Sequence, residues 1–79
     1  MDKTTEEIAQ DYIAMGHSVT LITDIIAGDA MANDTAEDKQ GAVDRNVEHL
    51  ELMVAKDYWT DEDMTAVNSA ITAGNGYTA

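Results

Sequence analysis

Apolar residues recur along the first third of the chain at Ile8, Tyr12, Met15, Val19, Ile22 and Ile26, in alternating steps of four and three. That spacing puts all six on one stripe of an α-helix, as a coiled-coil-like seam requires. Ile13, Leu21 and Ile25 lie off the stripe, roughly 120 to 240° around a helix that turns about 100° per residue. A second surface is needed to cover them. Thr4 followed by Glu7 carries the signature of a capping box, and Gly28 with Asp29 suggests a stop, so a helix is predicted over residues 5–27. Gly16 either weakens the middle of that helix or admits the close approach of another backbone.

The connector from Gly28 to Asp34 is small and polar, and Asp34-Thr35-Ala36-Glu37 repeats the start signal. A second helix is predicted over residues 35–57, with Val43, Val47, Leu50 and Val54 as its seam and Ala36 and Gln40 extending it toward the N-terminus. Two long helices joined by a short connector make an antiparallel hairpin. The flank of the second helix at roughly 80 to 180° from Val43 collects Asp34, Glu37, Asp44, Glu48 and Glu51. Arg45, His49 and Lys56 sit beyond it, so one side of the helix is markedly acidic.

The third start signal is the clearest. Thr60 is placed as N-cap, Asp63 as its capping-box partner, and Trp59 as a hydrophobic staple against Met64. Asp61, Glu62 and Asp63 occupy a first turn, where the helix dipole favours negative charge. A short helix over residues 61–73 presents Met64, Val67, Ala70 and Ile71, and Gly74 is positioned to end it. Residues 75–79 read as a tail or a docking strap, with Tyr77 unassigned.

Charge changes the picture. The chain has 79 residues, 16 acids, 4 Lys and Arg, and a formal net charge of −12, yet nothing between Asp11 and Asp24 is charged. An uncharged stretch in so acidic a chain implies burial on more than one side, and a second copy of the chain is the expected neighbour. A domain this short buries a small share of its surface, and with no cysteine to form a disulfide, oligomerisation is the staple left. The stretch falls well short of the roughly 20 apolar residues of a membrane span, and no basic region precedes an apolar core as in a signal peptide. Neither a membrane nor direct nucleic-acid binding is expected, since acids repel phosphate; such a charge favours a basic protein partner or serves solubility alone.

Catalytic and metal patterns are missing. Neither His17 nor His49 has a glutamate three residues before it, as di-metal bundles require, and Ser18 and Ser69 do not lie in a nucleophile elbow. The aspartates do not follow calcium-loop spacing. No cofactor, metal or catalytic residue is therefore assigned, and the chain is not expected to be an enzyme. Thr65 to Ile71 superficially resembles the last helix of acyl carrier proteins, but the Asp-Ser-Leu attachment motif of that family is absent.

The run from Val43 to Gly74, through Asp44-Arg45-Asn46-Val47-Glu48-His49-Leu50 and Thr60-Asp61-Glu62-Asp63-Met64, resembles the C-terminal part of short acidic open reading frames of tailed bacteriophages, marine and cyanobacterial ones in particular. The resemblance implies a non-enzymatic accessory or virion-associated protein, located in the host cytoplasm or the virion. It transfers no functional residue.

The expected molecule is thus all-α: an antiparallel hairpin of two long helices, with a short C-terminal helix across one end, forming a helical bundle by oligomerisation. Ile13, Leu21, Ile22, Ile25 and Ile26 are the expected self-association residues. The expected role is a self-associating structural or interaction protein. The alternative is an acidic nucleic-acid mimic that inhibits a host nucleic-acid-binding protein, using Asp34, Glu37, Asp44, Glu48, Glu51, Asp61, Glu62 and Asp63 as its acidic face.

Overall fold

The computed structural model describes residues 5–79 and, among them, contains α1 (Thr5–Ala27), α2 (Ala36–Val54) and α3 (Asp61–Asn75) with no strand. The expected Thr4 cap lies outside the described residues. At the other end of α1, Gly28 takes φ +84°, and its N–H bonds to the Ile25 carbonyl while that of Asp29 bonds to the Asp24 carbonyl. This pair of bonds is a Schellman stop, which requires the left-handed backbone that glycine adopts without a Cβ penalty. The connector is less solvent-facing than its composition suggests, because Ala30 and Met31 pack against the core.

Thr35 caps α2 by accepting from the Asp38 N–H at 3.1 Å. The helix ends earlier than the predicted Asp57. The Met53 carbonyl, which a longer helix would offer to residue 57, instead accepts the Lys56 N–H at 3.0 Å and the Trp59 indole N–H at 2.7 Å. α3 begins with the full capping box expected of Thr60 and Asp63. It runs past Gly74, which is buried, and stops at Gly76, whose N–H returns to Thr72.

Paired contacts show how the helices lie. Ser18 meets His49 and Asp11 meets Tyr58, so α1 and α2 are antiparallel. The start of α3 lies beside Tyr12 and Gly16, while Gly74 near its end approaches Ile22 as well as Val43 and Val47. α3 therefore runs parallel to α1 along the whole hairpin. The expectation of a short helix across one end is corrected: Gly74 lacks the Cβ that would stand 2.3 Å from Val47 Cγ2, so the backbone can lie close against α2.

The result is an elongated three-helix bundle of 41 × 19 × 18 Å, its long axis only slightly greater than the ~34 Å rise of a 23-residue helix. Ile22, Val43, Leu50 and Val67 are fully buried at its centre, joined by Met15, Ile25, Ala42, Val47, Met53 and Ala70. The inward stripe of α1 is Met15, Ser18, Ile22 and Ile25. It is rotated from the predicted seam, leaving Tyr12 and Ile26 exposed. The rotation follows from having two neighbours: α2 covers one flank of α1 and α3 the other. No described helix is long and apolar enough to cross a membrane.

The tail is a strap. Tyr77 packs on the core, its carbonyl accepts from Gln40 Nε2 at 3.2 Å, and the Ala79 N–H donates to Gln40 Oε1 at 2.9 Å.

Candidate functional site

The surface between α1 and α3 carries a groove of about 370 Å³. Val19, half-buried, and Ala66, exposed, supply its apolar floor above Met15 and Val67, which are buried in the core beneath. Gly16 and Ala66 keep the walls low. A Cβ built on Gly16 would meet no atom within 4 Å, so the glycine serves no close approach within the chain. Tyr12 stands at one margin, 52 % exposed, with Glu62 and Asp63 at another. One Asp63 oxygen receives the Thr60 N–H at 3.3 Å, which holds that carboxylate in place, whereas Glu62 is exposed.

An aromatic cluster lies beside the groove. The Trp59 ring lies edge-on to Tyr58 at 4.6 Å and is tilted against Tyr12 at 6.3 Å. The indole N–H ties the linker to the end of α2 through the Met53 carbonyl. The Tyr58 hydroxyl donates to Asp11. Its phenol is pushed up to about 12 by partial burial, by that hydrogen bond, and by the negative charges of Asp11, Asp57 and Glu7. Each cause disfavours a phenolate.

Ser18 and His49 are in hydrogen-bond contact: Oγ and Nδ1 are 2.8 Å apart, and either can donate. Ser18 is 3 % exposed and does not line the groove, so no substrate carbonyl reaches it there. The pair cross-links α1 to α2, satisfying a polar group in the interior. His17 is exposed on the outer side of α1.

The residues expected for self-association separate. Ile22 and Ile25 are 0 % and 3 % exposed within the chain's own core, and Leu21 is half-buried against it. Ile13 and Ile26 are 70 % and 41 % exposed. Ile22 and Ile25 thus face inward instead of lying on a free surface, because α3 covers the side of α1 for which a second copy was invoked. Leu52, which the sequence pattern did not single out, is exposed on the outer side of α2.

The acidic residues also divide. Glu37, Asp44, Glu48 and Glu51 are exposed and share a flank of α2, with Asp34 exposed in the connector. Asp44 accepts from Gln40 Nε2 at 3.0 Å. Asp61 is exposed and does not line the groove. Glu62 and Asp63 turn to the α1 side and border the groove. The expected acidic face is thus divided between carboxylates that line the groove and those on α2 that do not.

No protein-family model, curated protein or solved structure matches the chain.

Proposed function

We propose that the chain is a non-enzymatic helical interaction protein whose acidic exterior engages a basic protein. One observation carries this reading: α2 and α3 of the same chain already cover the inward stripe of α1, so the uncharged stretch no longer calls for a second copy. What remains to be explained is the surface charge. Carboxylates at Glu37, Asp44, Glu48 and Glu51 follow the axis of α2 and outnumber its two cations, Lys39 and Arg45, in a chain whose net charge is −12. Such a row steers cationic partners and repels nucleic acid and anionic lipid. A nucleic-acid-binding protein is one class of basic partner it suits, which is the mimic role. The likeness to short phage reading frames agrees with an accessory role of this kind.

Self-association is the second reading, favoured by the 70 % exposure of Ile13. Ile13 and Leu52 face outward from different helices, however, and apolar residues scattered singly are ordinary on a surface. Light scattering across concentration, at low and high salt, separates the two. The acidic-binder reading expects a monomer throughout, and it expects the protein to displace duplex DNA from a non-specific DNA-binding protein at low salt but not at high salt. A dimer that survives high salt, together with no displacement, would replace it with self-association through the outer face of α1.

A further inference from the structure

We propose that the α1–α3 groove is a docking site for a basic amphipathic helix of another protein, with apolar residues seated on Val19, Ala66 and the Tyr12 ring and a lysine or arginine reaching Glu62. The inference rests on the reading of the chain as an acidic binder and adds a defined site to it, one that none of the α2 carboxylates lines.

Three observations converge. The groove lies between two parallel helices, so a further helix laid along it would complete a four-helix arrangement, and grooves of this kind are read by anchors at helical spacing. Its floor is held open by Gly16. A mid-helix glycine costs about 1 kcal/mol relative to alanine, and no contact within the bundle requires it, since a Cβ there would touch nothing within 4 Å. Filling that space would obstruct only something arriving from outside.

Charge selects the occupant. The groove combines an apolar floor with Glu62 and Asp63 at its margin, in a molecule of net charge −12. A second copy would bring the same carboxylates and the same excess charge against these, whereas a cationic helix would neutralise them. The start of the α3 dipole offsets part of the attraction of Glu62 for a cation, so apolar contact with the floor must supply the specificity. The exposed Tyr12 ring, braced by Trp59 at 6.3 Å, offers a face to a cationic head group.

The test uses the whole protein and a fluorescent leucine-lysine peptide patterned as an amphipathic helix, with a scrambled peptide of the same composition as control. Binding is read by anisotropy. Gly16→Leu, which fills the groove, is expected to weaken the patterned peptide by about tenfold or more. The triple variant Asp44→Asn, Glu48→Gln, Glu51→Gln is expected to weaken it by about twofold or less, as distant charges do through a screened field. Amide shifts on the wild type, read by NMR, are expected to centre on Gly16, Ala66 and Val67, which keeps the test independent of how the variants fold.

Equal binding of patterned and scrambled peptides, or a Gly16→Leu variant that binds like wild type, would overturn the groove while leaving a diffuse acidic binder intact. Failure of every cationic peptide to bind would overturn both. A dimer abolished by Gly16→Leu would make the occupant a second copy, and so overturn the choice of a basic partner.

Discussion

Two glycines of similar appearance in the sequence have opposite consequences in the bundle. At Gly74 a Cβ would lie 2.3 Å from Val47 Cγ2, so Gly74→Ala forces α2 and α3 apart and is expected to cost about 1 to 3 kcal/mol. At Gly16 there is open space, so Gly16→Ala is expected to raise stability by up to about 1 kcal/mol through helix propensity alone. Urea unfolding of the two variants should move the midpoint in opposite directions. Tyr58 gives a second prediction at this scale. With its phenol pushed up to about 12 against 10 in the unfolded chain, the fold favours the neutral form. That contribution is whole below pH 10 and is lost as pH rises through about 12. Absorbance titration should therefore show one tyrosine ionising late, and Tyr58→Phe should remove that late step. Neither residue was legible as such: the sequence pattern reads Gly74 as a helix stop, and the Tyr58 phenol depends on Asp11, far away along the chain.

Helix starts were the most legible feature of the elements, because a cap is a contact between residues three apart. Thr60 accepts the predicted backbone N–H, whereas the second cap falls one residue later than the signal at Asp34 suggests, Thr35 accepting the Asp38 N–H. Thr60→Ala is expected to lose about 1 kcal/mol, with the cost traced to α3 by faster amide exchange in its first turn. Helix ends were less legible where a distant group decides them. α2 stops at Val54 because Trp59 returns its indole N–H to the Met53 carbonyl, whereas the stop of α1 at Gly28 was readable because it is local. The seam of α2 was read correctly at Val43, Val47 and Leu50. The burial of Ala42 and Met53 widens that seam toward α1, a width that a single stripe cannot convey.

For the molecule as a whole, charge opposes compaction. Each of the three helices lacks a basic residue in its last turn, and the net charge of −12 sits on a rod only 19 × 18 Å in section. Screening should relieve this self-repulsion, so the melting temperature, followed by circular dichroism, is expected to rise as salt is raised from tens to hundreds of millimolar. The acidic character, the all-helical class, the places where α2 and α3 begin and the core positions of α2 were determined by the sequence itself, since periodicity, capping and composition act locally or additively. The direction in which α1 turns was not. With apolar residues on several sides, α1 can present more than one stripe, and the sequence pattern leaves open whether a second copy or the same chain covers it. Only the tertiary structure decided this, because α3 lies along the hairpin with Gly74 against Val47; that packing buries Ile22 and Ile25, exposes Tyr12 and Ile26, and leaves the groove above Gly16 open.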